Sequence, residues 1–273
     1  TAEAVSAYRT VLGLSPEDRF GARLKLSKLA GEPLPLVPQT SYVEALFDHY
    51  ADKFDTSLVD RLGYRVPQLL AAMIDRHCEG QVFAHVIDLG CGTGLMAQAI
   101  AAKAGTFSGI DLSAAMLAKA KARGLYQHLV KADLIDGMAE LPAADLIVAA
   151  DVFMYFPGLE PVFQAVADKL HPDGYFVFSV EKLEGSQPFA LQPSLRHAHS
   201  ENYILALLKA NGLRLLGSET TVIRRDRNQD ITGLQSLLPR DRHARQPRIT
   251  AQAAFDKVTH GVGRDFSLRD HAL

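Results

Sequence analysis

Three glycines and one aspartate carry the first chemical signal in this chain. Residues 86–94 read Val-Ile-Asp-Leu-Gly-Cys-Gly-Thr-Gly, so Gly90, Gly92 and Gly94 alternate with small residues. Glycine lets the backbone take positive φ and come close to a ligand. The N–H groups that open a helix after such a turn have no intrahelical partner and attract a carboxylate or another anion. Asp111 follows about 20 residues later, the offset at which a parallel sheet sets an acid beside a ribose. Its carboxylate can accept hydrogen bonds from both ribose hydroxyls. The chemistry these residues suit is recognition of a nucleotide.

The pattern around them names the elements that must hold them. Val86, Ile87 and Leu89 form a short apolar strand, and Leu95 to Lys103 reads as a helical run. Strand, glycine turn and helix start are half of a nucleotide-binding βαβ unit. The dinucleotide pattern G-x-G-x-x-G would need glycine at position 95, which is Leu95. That argues against an NAD(P)-dependent dehydrogenase, which stays open as an alternative. A second strand, 106–110, ends at Asp111, and Ala114, Met116, Leu117 and Ala120 then fall at helical spacing. Asp111 has a competing reading as the cap of that helix, although Ser113 can cap it as well. A third strand, 127–131, ends at Ala132-Asp133-Leu134, where Asp133 also reads as a turn residue.

Residues 145–150 form a fourth strand that ends at Asp151, with Tyr155 just beyond. Ligands of open parallel sheets lie at the carboxyl ends of strands, which places Asp151 and Tyr155 near a reacting group. The helix 159–170 is closed by His171-Pro172-Asp173-Gly174, and 175–180 is a fifth strand. After the helix 201–210 come two further β runs, about 213–224 and 230–238. Between the fifth strand and its helix, residues 191–202 read as a polar loop carrying Arg196, His197, His199 and, at its end, Tyr203. Either histidine could deprotonate a hydroxyl or amine near neutral pH. Arg196 could hold a substrate carboxylate or phosphate. The competing reading has Ser200 capping the helix while the histidines pack. Metal ligation is not expected, since only Glu201 accompanies the pair.

Residues 86–94 resemble motif I of class I S-adenosylmethionine-dependent methyltransferases. The resemblance implies an α/β, Rossmann-like, doubly wound sheet of seven strands, mostly parallel with an antiparallel last strand. It implies S-adenosylmethionine as cofactor, S-adenosylhomocysteine as product, and methyl transfer to an O or N atom. Asp88 would order the glycine turn or the methionyl amine, and Asp133 would reach the adenine amine. Leu89, Thr93, Leu112, Met116, Ala132, Leu134 and Ala150 would complete the cofactor wall. Motif IV falls at Asp151 to Phe156, without the Asn-Pro-Pro-Tyr, Asp-Pro-Pro-Tyr or Pro-Cys patterns used on nucleic-acid bases. Phe47-Asp48-x-Tyr50-Ala51-x-x-Phe54-Asp55 resembles the helix that covers the cofactor in small-molecule enzymes of this group, with Tyr50 or Phe54 over it. The competing reading makes Leu46, Phe47, Tyr50 and Phe54 a core stripe.

Residues 1–16 resemble the second helix of a tetratricopeptide repeat, with Ala4, Ala7, Tyr8 and Leu12 at helical spacing and Pro16 closing the unit. Asp18 to Leu29 reads as the next helix. Together with the Arg-His-Ala-His-Ser segment, these features resemble the bacterial methyltransferases that carry such repeats. The expected organisation is a helical extension and linker over 1–38, a catalytic domain over 39–238, and a tail over 239–273 with four arginines between 240 and 248. Two cysteines cannot form a disulfide framework. A net charge of −2 predicts no general attraction to nucleic acid, and no apolar run has membrane-spanning length. The expectation is a cytoplasmic enzyme acting on a small-molecule acceptor, with the N-terminal helices available to a protein partner. The alternative from another class is a non-catalytic protein that senses cofactor and recruits a partner through those helices.

Overall fold

The computed structural model describes residues 1–34, 37–54, 63–226 and 229–240. Five strands run parallel: β1 (Phe83–Leu89), β2 (Ala104–Asp111), β3 (His128–Lys131), β4 (Ala144–Ala149) and β5 (Leu170–Leu183). Their order across the sheet is β3-β2-β1-β4-β5. The chain winds outward one way from β1 and the other way from β4, so a crevice opens at the carboxyl ends of these two neighbours.

Four more strands follow: β6 (Phe189–Leu191), β7 (His197–Ser200), β8 (Gly217–Asp226) and β9 (Gln229–Pro239). β9 lies antiparallel between β5 and β8, completing the expected seven-stranded order. β6 and β7 form a small hairpin, and β7 joins the far end of β5 through Lys182 and Leu183. The polar loop expected at 191–202 is therefore partly strand. Its alternation of polar residues conceals a segment, His197 to Ser200, that is buried throughout. The turn expected at 171–174 is absorbed into β5 as an irregularity, with the register shifting between Ala144 and Leu146 and Asp173 at φ +67°.

Helices cover both faces. Against one lie α7 (Leu134–Glu140), α8 (Glu160–Lys169) and α9 (Glu201–Ala210), packed through Met138, Phe163 and Leu207. Phe153, Phe163, Phe176 and Phe178 form an aromatic cluster there, with Phe176 and Phe178 stacked at 4.7 Å. Against the other lie α4 (Val66–His77) and α5 (Leu95–Ala99), through Leu70, Ile74 and Met96. Neighbouring strand residues such as Val86 and Ile87, or Ile147 and Val148, are buried toward opposite faces, as a doubly covered parallel sheet requires.

α1 (Ala2–Leu14) and α2 (Ala22–Ala30) precede the sheet. α1 has no buried residue, while α2 buries Ala22, Leu24 and Leu26. Buried Asp18, in left-handed conformation, caps α2 by accepting from Ala22 and Arg23 N–H at 2.6 and 3.0 Å. α3 (Thr40–Tyr50) follows. α6 (Ala114–Ala122) begins at Ser113, whose Oγ accepts from Met116 N–H. Arg240 extends the last strand's order by bridging to Leu213. Pro35, Leu36, Asp55 and the tail from 241 lie outside the described residues. Among those described, no helix is long and apolar enough to cross a membrane.

Candidate active site

A cavity of about 380 Å³ opens where the parallel strands end. Gly90, Gly92, Asp111, Leu112, Asp133, Leu134, Ala150, Asp151, Tyr155 and Arg196, all singled out from sequence, stand on its wall. The remaining wall is largely apolar, including Val43, Phe47, Phe54, Met154, Phe156, Pro161 and Val162.

The glycine turn is shaped for close approach. Gly90 has φ +64°, and a Cβ there would lie 2.5 Å from Val152 Cγ2. Gly92 has φ +53° and faces open space, with Phe54 the nearest neighbour at 3.9 Å. Asp111 ties this turn to the next element. One carboxylate oxygen accepts from Gly92 N–H at 2.8 Å and the other from Ser113 N–H at 2.8 Å. Burial pushes its carboxyl above the usual range, opposed by those backbone hydrogen bonds. Ser113 provides the helix cap and also donates to Asp48 Oδ1 at 2.6 Å, which joins α3 to α6. Asp133 caps α7, accepting from Ile135 and Asp136 N–H at 2.9 and 3.1 Å, and its residue still lines the cavity.

Asp88, Leu89, Thr93, Gly94, Met116 and Ala132 lie outside the cavity wall. Asp88 is buried and accepts from the Tyr126 hydroxyl at 2.6 Å. Burial pushes its carboxyl up to about 7, partly offset by that hydrogen bond. Asp88 thus ties β1 to Tyr126, whose ring lies against Gly94.

Four other expectations are corrected by geometry. Tyr50 is 49% exposed and off the cavity; Phe47 and Phe54 occupy the wall instead, Phe47 edge-on to Phe54 and Tyr155 at 5.8 and 5.5 Å. α3 ends at Tyr50 and a 3-10 turn, Ala51–Lys53, follows, so the α-helical period does not carry through to Phe54, and Tyr50 at the helix end stays half-exposed. His199 is fully buried in β7, with Nε2 donating to the carbonyls of Phe156 and Pro157 at 3.0 and 3.1 Å. Burial pushes it down to about 4, so it is neutral and away from the cavity. His197 is buried beside it, is also held below its usual value by burial, and is not on this wall. Tyr203 is buried, its hydroxyl accepting from Leu159 N–H at 2.7 Å and its ring stacked on His199. These three side chains fasten the β7–α9 corner.

Asp151 stands on the wall in a conformation rare for a non-glycine residue, φ +59°. Its N–H donates to Ser179 Oγ at 3.0 Å. Its carboxylate is clasped by Arg224 from β8, with Nη1 at 2.8 Å from both oxygens. Arg224 Nη2 meets Glu181, and its Nε has no protein partner. The guanidinium is 1% exposed; burial opposes its charge, but Asp151 and Glu181 outweigh that and raise its pKa. Arg224 was not singled out from sequence. One charge in an edge-hairpin strand gives no signal of whether it points inward. Tyr64, in the irregular segment before α4, is also on the wall and was not singled out from sequence. Among the described residues no cluster of His, Cys, Asp and Glu could hold a metal ion.

Comparison with known proteins agrees with this geometry. Residues 87–176 match the family model described as a methyltransferase domain. The ubiquinone biosynthesis O-methyltransferase of Azoarcus sp. is 33% identical over 112 residues, 39% of this chain and 47% of that protein. Its counterpart from Idiomarina loihiensis is 27% identical over 124 residues, 42% of this chain and 50% of that protein. The chain thus spans about half the length of the curated relatives it matches. A Burkholderia thailandensis 1,6-didemethyltoxoflavin N1-methyltransferase, solved with S-adenosylhomocysteine, superposes with TM-score 0.57 at 18% identity, covering 77% of this chain and 93% of that one. The [4+2]-cyclase SpnF superposes at 0.59 with 18% identity, covering 77% and 99%. The fold is that of class I S-adenosylmethionine-dependent methyltransferases, and residues 87–176 carry its methyltransferase-domain signature.

Proposed function

We propose that this protein is an S-adenosylmethionine-dependent methyltransferase that methylates an O or N atom of a small-molecule acceptor. The observation that carries the reading is one cavity bordered by the glycine turn, by Asp111 and Asp133, and by the end of β4. The donor set fits the cofactor. Carboxylates at the ends of β2 and β3 suit ribose hydroxyls and an adenine amine, and Gly92 leaves open space where a side chain would intrude. When bound, S-adenosylmethionine supplies an electrophilic methyl group on a sulfonium leaving group.

The protein's residues bind, orient and exclude water. Asp111 holds the ribose while its hydrogen bond to Gly92 fixes the turn, and Asp133 faces the adenine. Phe47 from α3 and Phe54 from just beyond it close the wall and present aromatic faces, which attract a cation. Positioning of this kind can supply roughly 7–11 kcal/mol of a transfer barrier. Asp151 and Tyr155 border the acceptor side. The catalytic unit is placed at 39–238.

The N-terminal pair reads as tetratricopeptide-like, and exposed Leu14, Phe20 and Leu29 support a protein contact there. A cytoplasmic location accords with this reading.

The test is a thermal-shift titration with S-adenosylhomocysteine, NAD and NADP on the wild type and Asp111→Ala. A ligand at 100 times its Kd stabilises by about 2.7 kcal/mol. The expected result is a shift with S-adenosylhomocysteine alone, lost in the variant. A shift with a dinucleotide instead would overturn the reading.

A further inference from the structure

The acceptor end of the cavity contains a charge arrangement that the cofactor does not explain. Arg224 comes from the last hairpin and clasps Asp151, the second residue beyond β4. Two carboxylates, Asp151 and Glu181, match this one guanidinium. Glu181 is 5% exposed at the side chain and does not border the cavity, whereas Asp151 and Arg224 do. Asp151 is held there against a left-handed backbone that disfavours a side chain, fixed at its N–H by Ser179 and at its carboxylate by Arg224. Such strain persists only where the surroundings over-determine it, and it gathers at working sites.

We propose that Asp151 is the acceptor-recognition carboxylate, fixed by Arg224 and Glu181, and that the acceptor is an apolar small molecule presenting a hydroxyl or amine hydrogen to it. This rests on the methyltransferase reading and names its substrate class. An ionised carboxylate only accepts hydrogen bonds, so its partner must donate. Arg224 is already matched by two carboxylates, so the open side of the Asp151 carboxylate is an acceptor that an O–H or N–H can meet directly. Arg196 lies on the same wall, where its charge acts on Tyr155 and Glu181. The rest of the lining, including Val43, Phe156, Pro161 and Val162, suits an apolar body.

The experiment compares two ligands by calorimetry: S-adenosylhomocysteine, and sinefungin, which carries an amine-bearing carbon in place of the sulfur. The amine projects where the methyl group would lie, toward the acceptor, so it probes Asp151 without any acceptor. A charge-assisted hydrogen bond predicts that the wild type binds sinefungin about tenfold or more tighter than S-adenosylhomocysteine. In Asp151→Asn that ratio falls toward one. The ratio cancels any loss of affinity common to both ligands, and Asp151→Ser replaces the asparagine variant if that protein binds neither. A wild-type ratio near one, or a high ratio unchanged by both substitutions, overturns the proposal while leaving the cofactor reading intact. Binding of neither ligand by the wild type overturns the cofactor reading and this proposal with it.

Discussion

Arg224 and Asp151 are joined by a single guanidinium nitrogen that lies 2.8 Å from each carboxylate oxygen, across 73 residues of sequence. With Glu181 behind, the three charges form a nearly dry cluster. Removing the cation leaves buried Glu181 and largely buried Asp151 without the guanidinium that pairs them. Arg224→Met is therefore expected to destabilise the fold by about 3–5 kcal/mol, read as a lower urea midpoint. Adding Glu181→Gln should restore part of the loss. A single variant as stable as the wild type would show that the cluster is not holding the β4 end.

Asp88 gives a pH dependence with a defined sign. Its carboxyl is raised to about 7 in the fold by burial, against an ordinary value of 3.8. Between those values the folded state holds more protons than the unfolded state. Its contribution to stability is full below about pH 4 and lost as pH rises toward 7, at roughly 1.4 kcal/mol per unit. Asp88→Asn keeps an acceptor for Tyr126 but cannot ionise. Urea unfolding at pH 5 and pH 8 should show the variant gaining on the wild type at the higher pH. An equal difference at both would remove the assignment.

Gly90 and Gly92, two of the glycines that border the cavity, separate shape from stability. A Cβ at Gly90 would strike Val152 at 2.5 Å as well as straining a positive φ, so Gly90→Ala should lower Tm clearly and abolish S-adenosylhomocysteine binding. A Cβ at Gly92 meets open space, so Gly92→Ala costs only about 1 kcal/mol of backbone strain while intruding on the ligand. Tm and calorimetric affinity measured on both variants check the contrast. Equal Tm losses would contradict it.

The framework was readable because its signals are local. A glycine turn after an apolar strand, and acids at the ends of the next two strands, occupy short windows with fixed offsets, and the sheet order follows from alternating strand and helix. What escaped depends on distant packing. The histidines at 197 and 199 looked polar in a polar stretch, yet β7 pairs with β5 and buries both. Arg224 became meaningful only when β8 was folded against β9 and turned toward Asp151. Tyr50 and Phe47 shared one helical stripe in sequence, and only the docking of α3 decided which faces inward.

That docking makes a simple comparison. Phe47 lines the cavity and packs against Phe54 and Tyr155, whereas Tyr50 is half-exposed. Phe47→Ala should weaken S-adenosylhomocysteine binding about tenfold or more, through lost aromatic contact and wall closure. Tyr50→Ala should change it less than about twofold, since surface substitutions away from a site are usually near neutral. A reversed order, measured by titration calorimetry, would mean that α3 covers the site with another face.

Asp111 and the glycine turn together are the proposed cofactor site. The most direct measurement is calorimetric titration of S-adenosylhomocysteine into the wild type and Asp111→Ala. Because Asp111 both lines the cavity and holds Gly92 N–H, one site is expected in the wild type and at least about a hundredfold weaker binding in the variant. Equal affinity in the two proteins, or no binding to the wild type, would contradict it.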